Sequence, residues 1–176
     1  IMSISIIFFG YKRFRGKLNN LQLFYVLLFC CYISNLIAIT FFPFPDQRFL
    51  IRTMIQEHLA ERNNLIPFRT IISTFMTNDL LIPLKQIGGN ILLFVPLGFS
   101  VPLFFGIKSN RRVIVIGFVV SLIIECGQYI CSYFIGYTYR SSDIDDIIIN
   151  TLGTVVGLVI FKCLYKYLKQ YNLLLK

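Results

Sequence analysis

The chain has no tryptophan, a single histidine and only eight acidic residues among 176. His58 stands without a partner at ligand spacing, so no metal centre built on imidazole is expected. Cys30, Cys31, Cys126, Cys131 and Cys163 sit inside or beside apolar runs, where cysteine acts as a small buried hydrophobe rather than part of a disulfide framework. Charge of either sign is scarce: 14% of residues are charged and 56% hydrophobic, against roughly 25% and 45–50% in ordinary soluble domains. With a mean hydropathy of +0.72, the composition argues against a soluble globule. The net charge of +9 does not indicate nucleic acid, because the lysines and arginines punctuate long apolar runs instead of covering one polar face.

What is present is a series of segments long enough to cross roughly 30 Å of hydrocarbon. They are Leu21–Phe42, Ile87–Gly106, Val113–Phe134 and Ile144–Tyr165. Ile1–Phe9 is read as the tail of a truncated first span; a short complete segment and part of a signal sequence are the alternatives. The expected fold is all-α: a single-domain polytopic membrane helix bundle over 1–176, with four complete spans and this truncated first one. The one long polar connection runs from Pro43 to Gln86. In it Phe49, Leu50, Ile51, Met54, Ile55 and Leu59 alternate with Arg48, Arg52, Gln56, Glu57 and Glu61, a pattern for a short helix on the membrane surface or packed on the protein.

Basic residues set the expected orientation. Lys12, Arg13, Arg15, Lys17, Lys108, Arg111, Arg112, Lys162, Lys166, Lys169 and Lys176 lie in regions with no acidic residue. The other six basics, Arg48, Arg52, Arg62, Arg69, Lys85 and Arg140, share the opposite side with seven acids. The positive-inside rule makes the first group cytoplasmic, the long loop and the Gly136–Asp145 connection extracytoplasmic, the N-terminus outside and the C-terminus inside. That parity requires an odd number of spans, which favours Ile1–Phe9 as the end of a first helix.

Glu125 is the one acid left within a span. A carboxyl at membrane mid-depth costs about 2.5–3.5 kcal/mol on insertion scales, so it is expected to face the bundle interior, either in a functional pocket or held by hydrogen bonds to neighbouring helices. Gln128 follows on the same helical face. In the run Arg140–Gly153, Ser142 or Asp143 suits a helix N-cap, and Asp145 and Asp146 complement the helix dipole. Three acids with Arg140 exceed what capping needs. Asp146 and Asn150 share a stripe that continues into Gly153 and Gly157, a pattern for close helix contact. Pro96 and Pro102 should break the amide ladder of their span and free the carbonyls of Leu92 and Gly98, with Asn90 at the outer end of that helix.

These residues resemble the VanZ-like membrane proteins, the teicoplanin-resistance family. The resemblance runs through Asn64-Leu65-Ile66-Pro67-Phe68, Gly89–Gly98, Ser121–Gln128 and Arg140–Asp146 continuing to Asn150–Gly153, over about 21–165. It implies a bacterial cell-envelope membrane protein, most often Gram-positive, linked to reduced susceptibility to teicoplanin-type lipoglycopeptides, without an established reaction. Its recurrent polar positions fall on Asn64, Asn90, Glu125, Gln128, Arg140, Asp143, Asp146 and Asn150.

Three functions compete. In the first, which is preferred, an outward-opening pocket formed by the last three helices and the Asn64–Phe68 loop binds or modifies an amphiphilic envelope molecule. That molecule is a lipoglycopeptide, a lipid-linked precursor or another envelope lipid. Asn64, Phe68, Asn90, Gln128, Arg140, Asp145 and Asn150 would contact it, with Arg140 on a phosphate or carboxylate. In the second, Glu125 is a general acid or base with Asp143, Asp145 or Asp146 as ionised partner in an intramembrane hydrolase or transferase. Ser121 lies one turn before Glu125, but no histidine is placed to activate it. The third is a purely structural protein acting through envelope partners. No cofactor or metal ligand set is expected; a divalent cation bridging the outer carboxylates is left open.

Overall fold

The computed structural model describes residues 20–57, 62–107 and 109–171. Ile1–Phe9, Lys12, Arg13, Arg15, Lys17, His58, Leu59, Glu61, Lys108 and Lys176 lie outside the described residues. Six helices follow in order: α1 (Asn20–Phe41), α2 (Arg48–Gln56), α3 (Arg69–Phe75), α4 (Leu81–Phe105), α5 (Asn110–Ile135) and α6 (Ile144–Gln170). Of these, α1, α4, α5 and α6 are long and apolar enough to cross a membrane. Their outward faces carry large apolar side chains that no protein covers, Leu92, Ile123 and Phe134 among them, as a lipid-facing surface requires.

Local chemistry sets most helix ends. Gly106 and Gly136 take left-handed backbone angles (φ 61° and 88°) and stop α4 and α5, the role that glycine fills at little steric cost. The start of α4 lies six residues before the expected Ile87. Asp79 Oδ1 accepts the Leu81 amide at 2.8 Å, and Pro83 falls in the first turn, where its missing donor is tolerated. Asn90 is therefore not at the end of this helix but about two and a half turns inside it. Nor do Pro96 and Pro102 interrupt α4. The irregular turn is Leu84–Gly88, which winds as a π-helix, while Tyr32 of α1 donates its hydroxyl to the Leu93 carbonyl at 2.9 Å.

The helix α2 lies where the surface helix was expected, and none of its residues is buried: Phe49 is 82% exposed. Ile51, Thr53 and Met54 are half-buried, so one face of the helix is partly covered and the other open.

Helices α4 and α6 run parallel and share the largest interface. Glycine permits it. A Cβ on Gly153 would meet the Ile91 carbonyl, one on Gly157 the Val95 carbonyl, and one on Gly98 the Thr154 carbonyl. Gly117 of α5 stands equally close to the Thr154 side chain. The backbones touch, so dispersion contacts and small residues carry the packing that water would otherwise drive. Phe94, Leu97, Val101, Val113, Leu158 and Phe161 fill the core between the three helices.

Candidate functional site

The helices do not begin at one level. The amide of Asp143, the N-cap of α6, donates to Glu125 Oε2 at 2.8 Å, so α6 starts at the depth of Glu125. From Glu125, α5 continues ten residues to Ile135, about 15 Å at 1.5 Å per residue. Asn90, which donates to Asp146 Oδ1 at 2.7 Å, has nine residues of α4 above it, about 14 Å more. The top of α6 therefore sits in a recess walled by α4 and α5, and chain from the long loop descends to close it.

That descending chain is held by a single parallel bridge between Asn64 and Asp143. The Asn64 amide donates to the Ser142 carbonyl at 2.9 Å, and the Ile144 amide donates to the Asn64 carbonyl at 3.0 Å. The side chains continue the pairing. Asn64 Nδ2 donates to Asp143 Oδ1 (2.8 Å) and to Thr70 Oγ1 (3.0 Å), and the Thr70 hydroxyl donates to Asp143 Oδ2 (2.6 Å). Asp143 Oδ1 also takes the Asp145 amide at 2.8 Å. Every amide from Ser142 to Asp146 is thereby satisfied, with Asn63 Oδ1 accepting that of Ser142 and the Asp143 carbonyl that of Asp146. Non-helical backbone is tolerated at membrane depth on this condition.

Asp145 is fully buried and turned toward α3. Its Oδ1 accepts the Phe68 amide at 2.5 Å, and its Oδ2 accepts those of Thr70 and Ile71 at 2.8 and 3.1 Å. A carboxylate at a helix N-terminus meets orphan donors and the positive end of the dipole. This one locks a short helix to the bundle and holds Phe68 in the left-handed region (φ 65°), a conformation that needs external support in a bulky residue. Thr70 and Asn63, which the sequence reading did not single out, belong to this structure.

Two expected site residues go elsewhere. Gln128 Nε2 donates to the Thr40 carbonyl at 2.9 Å, and Arg140 Nη2 donates to the carbonyls of Phe42 at 2.7 Å and Ile39 at 3.4 Å. The Tyr139 hydroxyl, which burial pushes above the usual phenol range, donates to the Phe41 carbonyl at 3.4 Å. These three side chains cap the last carbonyls of α1, groups that a helix cannot satisfy itself. Arg140 is thus engaged at the end of α1.

The remaining polar groups line the α5–α6 contact below the bridge. Ser121 and Glu125 stand one turn apart on α5, and Asp146 and Asn150 one turn apart on α6. Asn150 Nδ2 donates to Ser121 Oγ at 2.9 Å. Asn150 Oδ1 is buried without a hydrogen-bond partner among the described residues, a state that costs about 1–3 kcal/mol when nothing fills it. Glu125 is 4% exposed, with the Ser142 side chain and Asp146 nearby. Apart from its bond to Asn90, Asp146 accepts no side-chain hydrogen bond among the described residues. The structure thus brings Asn64, Phe68, Asn90, Glu125, Asp143, Asp145, Asp146 and Asn150 to the top of α6. It commits Asp143 and Asp145 to holding the loop, and leaves Glu125, Asp146 and Asn150 with unused acceptor capacity. The acids point in different directions, and among the described residues no three of them converge on a common centre for a metal ion.

A family model described as VanZ/LLP1 matches residues 29–165. Neither the curated proteins nor the solved structures contain a match to this chain. The matched stretch begins within α1, ends within α6, and includes the bridge, the caps of α1 and the whole polar cluster. The chain, a bundle with four membrane-spanning helices, belongs to the VanZ/LLP1 family.

Proposed function

We propose that the protein resides in a bacterial cell membrane with the top of α6 on the extracytoplasmic side, and lowers susceptibility to teicoplanin-type lipoglycopeptides by binding an amphiphilic envelope molecule there. The observation that carries this reading is the buried Asn150 Oδ1, unpaired among the described residues, in a contact it shares with Ser121 and with two further acceptors of unused capacity, Glu125 and Asp146. A cluster of acceptors calls for a donor. The amide and hydroxyl hydrogens of a glycopeptide, or of a peptide-bearing lipid-linked precursor, fit that demand; a bare phosphate does not. Orientation follows from charge: Arg111, Arg112, Lys162, Lys166 and Lys169 gather at the opposite end of α5 and α6.

The second reading is an intramembrane hydrolase or transferase with Glu125 as acid or base and Asp146 as its charged neighbour. It is favoured by the proximity of two carboxyls in a largely buried setting. The test compares cells producing the wild-type chain, Glu125→Gln or Asp146→Asn at matched membrane levels. Both substitutions keep a carbonyl acceptor for the existing hydrogen bond. Wild type is expected to reduce lipoglycopeptide susceptibility and Asp146→Asn to abolish most of that effect. Full protection by both variants overturns the assignment. Conversion of a lipid-linked precursor by wild type, absent in Glu125→Gln, would select the enzymatic reading instead.

A further inference from the structure

A second polar feature lies on the opposite side of the bridge from Asn150. At the end of α5 an open cavity of about 400 Å³ is bounded by Tyr129, Tyr133, Tyr137, Ser132, Thr138 and Asn63. Gly136, at the rim, has no atom within 4 Å of the place where a Cβ would stand, so the cavity stays open there. None of its lining residues carries a charge, although acids cluster at the neighbouring helix start. Tyr129 and Tyr133 lie one turn apart and are 54% and 75% exposed, while Ser132 is buried at the floor with its hydroxyl donated to the Arg140 carbonyl at 3.2 Å.

Asn63 supplies the directional element. Its Oδ1 accepts the Ser142 amide at 2.9 Å, which fixes the side-chain amide, and among the described residues no acceptor meets its Nδ2. The lining thus offers a fixed amide donor, hydroxyls that donate and accept, and aromatic faces, with no ion to attract or repel charge. Phosphate or carboxylate would find no cation here, and a purely apolar chain would leave the amide and hydroxyls unsatisfied. A neutral, polyhydroxylated ring satisfies both: its hydroxyls pair with the amide and phenols, and its C–H face lies on a tyrosine ring. Tyr129 and Tyr133 fall six and two residues before the end of α5, about 9 and 3 Å along the axis, the zone where an amphiphile would present its headgroup.

We infer that this cavity is a saccharide site, separate from the Asn150 cluster, for the neutral sugar of an envelope amphiphile. Two sources share that chemistry, a membrane glycolipid and a sugar carried by a soluble molecule. Full-length protein in phosphatidylcholine–phosphatidylglycerol nanodiscs separates them. One arm titrates soluble N,N′-diacetylchitobiose and reads saturation transfer to its ring protons. The other includes diglucosyldiacylglycerol and reads lipid retained after detergent exchange by mass spectrometry. Each is repeated with Tyr129→Ala/Tyr133→Ala, with Tyr129→Phe/Tyr133→Phe, and with Asp146→Asn.

Response in either arm is expected, weakened about tenfold by the double alanine variant, less by the double phenylalanine variant, and unchanged by Asp146→Asn. Response in both arms assigns recognition to the sugar alone; response only to the glycolipid assigns it to a membrane-bound ligand. No response in either arm, or equal responses of wild type and the double alanine variant, overturns the proposal and leaves the tyrosines as interfacial anchors. Because both rings are more than half exposed, their truncation spares the packing. An effect of Asp146→Asn on the Asn150 cluster without one here shows the two sites failing or standing independently.

Discussion

Asp143 and Asp145 illustrate how a carboxylate among membrane helices can be spent on backbone. Between them they accept six hydrogen bonds, four of them from backbone N–H groups. Asp145→Ala would leave three amides at the start of α3 without an acceptor. A loss of about 3 kcal/mol or more is expected, read as a lower thermal midpoint in detergent and as faster amide exchange confined to Phe68–Ile71. A midpoint within error of wild type would show that α3 is held by something else. The type and spacing of these residues were legible in advance: the capping role of Asp143 is written in a short acid ahead of an apolar run. The partner of Asp145 was not, because nothing local ties it to amides 74 to 77 positions earlier in the chain. Gln128 was misplaced for a related reason. Three residues after Glu125 it shares a broad face, yet that face meets α1 on one flank and α6 on the other, and periodicity alone does not divide them.

The elements were easier to foresee than their ends. Hydropathy located α1, α4, α5 and α6 because a lipid-facing helix needs an uninterrupted apolar length, and no tertiary contact competes with that requirement. The start of α4 moved outward because Asp79 and Pro83 act as an initiation signal ahead of the apolar run. α3 escaped notice because seven residues make no periodic stripe; its stability is lent by Asp145. The stripe of Gly153 and Gly157 was legible, and its contact with α4 gives a sharp expectation. Gly157→Ala places a methyl group against the Val95 carbonyl and the Phe99 amide, and should cost about 1–3 kcal/mol by overpacking. Gly89→Ala, with nothing within 4 Å of the new atom, is the control and should leave stability unchanged. Equal thermal midpoints for the two variants would contradict the close α4–α6 approach.

At the scale of the molecule, one helix that begins deep inside a bundle makes the rest intelligible. Because α6 starts at the level of Glu125, backbone from the long loop must enter the recess. That backbone needs acceptors, and the acids at the head of α6 supply them. Most of the chain's polar endowment is consumed this way, on the bridge to Asn64, the seat of α3 and the caps of α1. What survives is the face of Glu125, Asp146 and Asn150, whose side-chain carbonyl is unpaired among the described residues. Charge is placed by the same architecture: Arg111, Arg112, Lys162, Lys166 and Lys169 gather at one end of α5 and α6, and Asp79, Glu125, Asp143 and Asp145 stand where backbone donors must be met. The most direct measurement is made on purified protein in nanodiscs, wild type against Asp146→Asn, scored for affinity to a teicoplanin-type lipoglycopeptide and for peptide-bearing lipid-linked precursor retained through purification. Binding or retention by wild type, weakened about tenfold in Asp146→Asn at an unchanged thermal midpoint, is the expected result. Neither binding nor retention by wild type, or the same values in Asp146→Asn, would contradict a ligand site at the head of α6.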